Sequence, residues 1–119
     1  MDVLTQGSLA ALRGRLATRM LQAPTLLDYE VLSAVRGLVL GSHLSQTRGA
    51  DALADFADLA IRRVPVTRAL LHEAWGLRHS MTAYDAAYVV LARALGCDLW
   101  TRDRRLASAA AGSVAVELV

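Results

Sequence analysis

Short strand-like segments alternate with longer helical segments along this chain of 119 residues, and that alternation restricts the fold more than any other feature. In the longer segments hydrophobic residues recur every three or four positions, as on one face of a helix. Helices are expected at residues 8–16, 25–40, 45–59, 67–75, 83–95 and 103–110, and strands at 20–23, 61–64, 98–101 and 114–119. Such alternation is typical of an α/β domain, in which helices cover a sheet.

The most apolar of these helices is predicted for residues 83–95, where only Asp85 and Arg93 are charged. Thr82 is a suitable N-cap for it, and Gly96 is a suitable C-terminal stop. A helix with so few polar residues is covered on nearly all sides. Its first turn must therefore face other elements of the fold.

The composition indicates one soluble, compact domain that spans residues 1–119. Hydrophobic residues make up 55% of the chain and charged residues 20%, so the chain is too apolar for a disordered protein. The longest uncharged apolar run, residues 86–92, is much shorter than the roughly 20 residues of a membrane span. The N-terminus has no signal-peptide pattern, and the single cysteine, Cys97, cannot form an intrachain disulfide. We therefore expect a cytoplasmic protein without a membrane segment.

Glu30 lies at the edge of the apolar stripe of the helix at 25–40. A carboxylate there is half desolvated, which is unfavourable unless a cation or several hydrogen-bond donors satisfy it. Glu30 is therefore a candidate site residue. The alternative is that it turns to solvent or pairs with an arginine such as Arg36.

Asp85 and Asp103 also lie at helix starts, and each has an alternative structural role. Asp85 follows Thr82 by three residues, the spacing of a capping box, but it also belongs to a helix whose first turn is enclosed. Asp103 follows the strand at 98–101, and ligand sites of open α/β sheets gather at such carboxyl ends. Asp103 could equally be an ordinary helix cap.

Taken together, the three acids predict a metal site. Hard divalent cations such as Mg²⁺ prefer oxygen ligands, and water bound to such an ion can be activated for attack. Phosphodiester hydrolysis is the natural reaction for that arrangement. The sequence contains no glycine-rich phosphate loop, so a nucleotide site of that type has less support. The histidines lack the spacing of metal ligands and are expected at the surface: His43, His72 and His79.

The net charge is +2, and several arginines lie in small groups at 62–63 and 102–105. Such groups indicate either a polyanionic partner or ordinary solvated surface.

Three segments carry recognisable motifs: APTLLDYEVLSA at 23–34, MTAYDAAY at 81–88 and LWTRDRRL at 99–106. They resemble the three motif blocks of the PIN domain, and in particular those of VapC-type toxins of bacterial toxin–antitoxin pairs. The likeness runs in order through nearly the whole chain. The Thr-Ala-Tyr-Asp-Ala and Thr-x-Asp-x-x-Leu patterns together are fairly specific.

The resemblance implies a central parallel sheet flanked by helices and a Mg²⁺- or Mn²⁺-dependent endoribonuclease that hydrolyses RNA. It also implies a homodimer restrained by a cognate antitoxin. By this likeness Asp85 is the firmest metal ligand, while Glu30 and Asp103 complete the acidic pocket directly or through water. Thr101 would help to position the pocket. Three nearby arginines would contact the RNA backbone: Arg102, Arg104 and Arg105.

The likeness is incomplete at the N-terminus. Such proteins normally begin with a short apolar strand that lies in the middle of the sheet and ends in an aspartate. Residues 1–4 are instead predicted to begin the first helix. Asp2 then falls too late in the chain to be the missing ligand; the alternative is that Asp2 substitutes for it. We therefore expect either a start upstream of Met1 or a product without the central strand and the first metal ligand. The second case predicts a gap in the sheet and a lower metal affinity.

The sequence is compatible with two other functions. The chain could be a catalytically impaired or truncated PIN-like protein that binds only an antitoxin or RNA. It could also be a structural α/β binding module whose acids are ordinary helix caps, in which case Mg²⁺ would not raise its melting temperature.

Overall fold

This computed structural model describes the backbone of residues 2–4 and all of residues 20–118. The predicted helix at 8–16 and the last residue of the chain lie outside these ranges. The described elements follow in this order: β1 (Asp2–Leu4), β2 (Leu21–Pro24), α1 (Leu26–Leu40), α2 (Gln46–Ala57), β3 (Ile61–Val64), α3 (Arg68–Gly76), α4 (Ala83–Leu95), β4 (Asp98–Thr101), α5 (Arg104–Ala110) and β5 (Val116–Leu118).

The described strands form one sheet in the order β3-β2-β1-β4-β5. Every neighbouring pair is parallel. A parallel pair needs a crossover connection, and the crossovers from β2 to β3 and from β3 to β4 contain helices. The prediction of an α/β domain with a central parallel sheet is therefore confirmed.

Strand β1 lies at the centre of this sheet, so the prediction that the central strand is missing is wrong. The backbone of Asp2 pairs with Leu21 of β2 and with Asp98 of β4, and Leu4 pairs with Trp100. Three residues are too few for periodicity to separate a strand from a helix. Two of them, Val3 and Leu4, are apolar, as is usual in the strands of parallel sheets.

Helices cover both faces of the sheet. Successive residues of β4 accordingly belong to different core clusters. Leu99 packs with residues of α4 and α5, including Leu106. Trp100 packs on the opposite side, in the cluster that contains Leu27 of α1 and Phe56 of α2. This alternation follows from the two-residue period of a strand.

Helix α4 is the most buried helix among residues 20–118, as its composition predicts. The Thr82 hydroxyl accepts a hydrogen bond of 3.1 Å from the backbone N–H of Asp85, and Gly96 ends the helix with a left-handed φ of 63°. A residue with a side chain is strained at that φ, so glycine suits this stop. None of the described helices is long and apolar enough to cross a membrane.

Candidate active site

The three predicted acids lie at one edge of the sheet. The strand order changes direction at β1, with β2 and β3 on one side and β4 and β5 on the other. Helices α1 and α5 leave the carboxyl ends of β2 and β4, whereas α4 ends just before β4 begins. The N-terminal turns of all three helices therefore lie at the carboxyl edge, where open α/β sheets bind ligands. Asp85 lies in the first turn of α4, Asp103 is the N-cap of α5, and Glu30 lies one turn further into α1.

Glu30 is half-buried, and its partner is a tyrosine rather than an arginine. The phenolic hydroxyl of Tyr88, on α4, donates a hydrogen bond to the Glu30 carboxylate. Tyr88 is only 2% exposed. The two residues are 58 positions apart, so no local pattern pairs them. The alternative that Glu30 pairs with Arg36 is not observed among the described contacts.

The environment of the Tyr88 hydroxyl disfavours its deprotonation. Burial raises the pKa of Tyr88 above its ordinary value, because an apolar environment disfavours the phenolate. The hydrogen bond to Glu30 raises this pKa further, and so do the charges of Glu30, Asp85 and Asp28. Tyr88 thus lies within electrostatic reach of both Glu30 and Asp85.

The backbone of Asp85 takes part in the helix cap, whereas its carboxylate faces a neighbouring helix. Its backbone N–H is capped by Thr82, and its carboxylate turns toward the first turn of α5. There an Asp85 oxygen lies 3.9 Å from a guanidinium nitrogen of Arg105. Arg105 is 79% exposed, so this ion pair is loose and weakly stabilising.

Asp103 caps α5. Its Oδ1 accepts hydrogen bonds of 2.9 and 3.2 Å from the backbone N–H groups of Arg105 and Leu106. The buried Thr101 hydroxyl accepts a 3.0 Å hydrogen bond from the Asp103 N–H. The turn from β4 into α5 is therefore fixed at both ends, and the Asp103 carboxylate is directed toward its own helix.

A fourth acid, Asp28, is fixed near this edge by Arg63 of β3. The Nη2 atom of Arg63 donates a 2.9 Å hydrogen bond to the Asp28 carboxylate, and Nε lies 3.2 and 3.3 Å from its two oxygens. Arg63 also donates to the carbonyl oxygen of Ile61 and lies 5.1 Å from the centre of the Phe56 ring. Thr25 makes no side-chain cap for α1, so this contact helps to fix the first turn of that helix. Arg63 and Asp28 are 35 positions apart, so no local sequence pattern pairs them.

The acids have the chemistry of a magnesium site, although they do not form a compact group of three. Among the side chains of residues 20–118, no three His, Cys, Asp or Glu residues lie close enough together to hold a metal ion. Mg²⁺ is commonly bound through one or two carboxylates together with waters and substrate phosphates. The carboxylates of Glu30 and Asp85 are of the type that fits such a site, whereas Asp103 is engaged with its own helix.

The first strand contributes no acid at its carboxyl end. Asp2 pairs with the first residues of β2 and β4, so its backbone lies at the amino edge, opposite the candidate site. The sequence between Asp2 and Asp28 contains no aspartate or glutamate.

The remaining predicted residues lie on the surface. The three predicted RNA-contacting arginines are exposed beside the carboxyl end of β4: Arg102, Arg104 and Arg105. All three histidines are exposed, as their spacing predicts: His43, His72 and His79.

Known proteins resemble this chain in both sequence and fold. Ribonuclease VapC1 of Mycobacterium tuberculosis is 41% identical over 112 residues, which cover 94% of this chain and 84% of that protein. The crystal structure of PAE2754 from Pyrobaculum aerophilum has a TM-score of 0.70 at 21% identity, covering 96% of this chain and 89% of that one.

A second solved structure, VapBC2 from Rickettsia felis bound to a DNA fragment from their promoter, has a TM-score of 0.67 at 10% identity. It covers 98% of this chain and 97% of that one. At such low identities the two solved structures establish the fold alone. No family model matches the sequence. The identity to VapC1, however, extends over most of both proteins, and the chain therefore belongs to the VapC ribonuclease family, the PIN-domain toxins that its motifs resemble.

Proposed function

We propose that this protein is a Mg²⁺- or Mn²⁺-dependent endoribonuclease toxin that hydrolyses RNA phosphodiester bonds at the carboxyl edge of its sheet. The observation that carries the proposal is that α1 and α4 bring Glu30 and Asp85 to that edge, where Tyr88 of α4 donates a hydrogen bond to the Glu30 carboxylate. Membership of a ribonuclease family supports the choice of substrate.

Asp85 is the proposed direct metal ligand, because its carboxylate is half-buried and its only described ion pair is a long one. Glu30 completes the acidic pocket from α1, and Asp103 does so from the turn after β4, directly or through water. A bound Mg²⁺ would supply an activated water and offset charge on the phosphate. Thr101 positions the pocket through its hydrogen bond to the Asp103 N–H.

The exposed arginines beside the pocket are proposed contacts for the RNA backbone. Arg105 lies close enough to Asp85 to place a phosphate next to the acids, and its high exposure leaves the guanidinium accessible. Arg102 and Arg104 extend the same positive surface along the start of α5. Contacts of this kind hold the RNA without reading its sequence.

We further propose a cytoplasmic protein that forms a homodimer and binds a cognate antitoxin. An apolar groove between α1, α3 and α4 offers a surface for a second copy and is lined by Leu26, Val66, Leu70, Leu71 and Ala87. Val66 and Leu71 are 67% and 65% exposed, which is unfavourable unless a partner covers them. The likeness in fold to VapBC2 supports an antitoxin. Light scattering of the purified chain, compared with Leu71→Glu, tests the dimer: the variant should be monomeric.

A second candidate function is a catalytically impaired relative that binds only antitoxin or RNA. The observation that favours it is the missing acid after β1, since Asp2 lies at the opposite edge of the sheet. The structural binding module is the third candidate, and the helix cap at Asp103 is the observation that favours it.

One substitution separates these functions. Asp85→Asn keeps the size of the side chain but removes its charge, so Mg²⁺-dependent RNA cleavage should fall by about a hundredfold or more. Asp51→Asn, at an exposed position of α2, is the matched control and should cleave like the parent. If Asp85→Asn cuts RNA as well as the parent, the proposed mechanism is wrong.

A parent protein that is folded but does not cut RNA would favour the impaired relative. Absence of any rise in melting temperature with Mg²⁺ would favour the structural module, because a ligand that binds only the folded state must stabilise it.

A further inference from the structure

Tyr88 is the polar exception within the buried part of α4. Its neighbours on that helix, Val89, Val90, Leu91 and Ala92, are all apolar and at most 2% exposed. A phenylalanine would fill the space of the ring without requiring a hydrogen-bond partner. The hydroxyl, however, has a partner, the carboxylate of Glu30.

The position of Tyr88 connects the two acids of the candidate site. Tyr88 follows Asp85 by three residues, so both side chains project from the same face of α4. Glu30 belongs to α1, the helix that leaves β2. The hydroxyl therefore connects the helix that carries Asp85 to the carboxylate carried by the other helix.

We propose that Tyr88 is a positioning residue that fixes the Glu30 carboxylate relative to Asp85 through its hydroxyl. This inference rests on the proposed ribonuclease function. Because Tyr88 is 2% exposed, it cannot itself reach the RNA. A carboxylate held by a single donor retains other lone pairs for a metal ion or a water.

The test substitution is Tyr88→Phe, which keeps the buried ring and removes only the hydroxyl. The matched control is Tyr84→Phe, one turn earlier on the same helix, where the ring is 64% exposed. With RNA and Mg²⁺ in excess, we expect kcat of Tyr88→Phe to fall about tenfold or more, because small displacements of a catalytic group are costly. KM should stay within about twofold, since substrate binding is unchanged. The control should retain both constants.

A second measurement does not depend on activity. The melting temperatures of Tyr88→Phe, Glu30→Ala and the double variant, measured without metal, form a double-mutant cycle. If the contact exists, the double variant should melt higher than the sum of the two single losses predicts, because each single change already removes the same hydrogen bond.

The outcomes are distinguishable. Additive losses in melting temperature, or an unchanged kcat in Tyr88→Phe, would overturn the role of Tyr88 while leaving the ribonuclease function intact. A parent protein that cuts no RNA would overturn the proposed function and, with it, the positioning role of Tyr88 in cleavage, even where the cycle demonstrates the contact. A selective loss of kcat together with non-additive losses in melting temperature would support the inference.

Discussion

The contact between Arg63 and Asp28 makes a quantitative prediction about stability. Arg63→Met keeps the unbranched stem but removes the guanidinium, which contacts Asp28, the Ile61 carbonyl oxygen and the Phe56 ring. The Arg63 and Asp28 side chains are 24% and 42% exposed, so solvent screens the ion pair and its contribution is only about 0.5–1 kcal/mol. The contact with the ring contributes about 0.5 kcal/mol and the hydrogen bond to the carbonyl about 1 kcal/mol.

We therefore expect Arg63→Met to lower the free energy of unfolding by about 2 kcal/mol. For a domain of this size that corresponds to a fall in melting temperature of about 8 °C. Urea denaturation and a thermal melt followed by circular dichroism would measure the two quantities. Arg36→Met, at an exposed position of α1 with no acid partner among the described contacts, is the control and should change stability by less than about 0.5 kcal/mol. If Arg63→Met is as mild as this control, the contact does not hold the start of α1 in solution.

Further predictions concern packing and pH. A Cβ added at Gly49 would lie 2.7 Å from a methyl carbon of Val39, and the Val39 side chain cannot rotate freely in a helix. Gly49→Ala should therefore lose about 1 kcal/mol of stability in urea denaturation, although alanine has the better helix propensity. A Cβ added at Gly37 would have no atom within 4 Å, so Gly37→Ala should instead gain up to about 1 kcal/mol of stability. A gain in stability at both positions would contradict the predicted clash with Val39. Because the pKa of Tyr88 is raised in the folded state, its contribution to stability is fully present below the ordinary tyrosine pKa of about 10 and is lost as the pH rises above that value. Stability measured across about pH 9 to 11 should therefore fall less steeply in Tyr88→Phe than in the parent, and equal slopes would refute this assignment.

Elements with strong local signals were predictable from the sequence. Helix α4 begins after Thr82 and ends before Gly96 because a hydroxyl cap and a left-handed glycine act within a few residues of the chain. Strand β1 lacks such signals. Its three residues become a strand because β2 and β4 pair with them on both sides, and sequence spacing does not contain that information.

The candidate site shows the same limit. Parallel topology brings Glu30, Asp85 and Asp103 to one edge of the sheet, and the strand and helix order inferred from the sequence was sufficient to expect this. The partners of these acids were not predictable, because Tyr88 lies 58 residues from Glu30 and makes a contact that only the packed fold creates. Asp103 carries both a motif and a helix cap, and the cap determines where its carboxylate points.

The most direct test of the metal-dependent ribonuclease is RNA cleavage by the purified parent chain in Mg²⁺, then with EDTA, and again after Mg²⁺ is restored in excess. We expect cleavage in Mg²⁺, its loss with EDTA and its return with the added ion, because in the proposed mechanism a divalent cation held by the carboxylates would activate the attacking water. Cleavage that continues at the same rate in EDTA would contradict the metal-dependent mechanism.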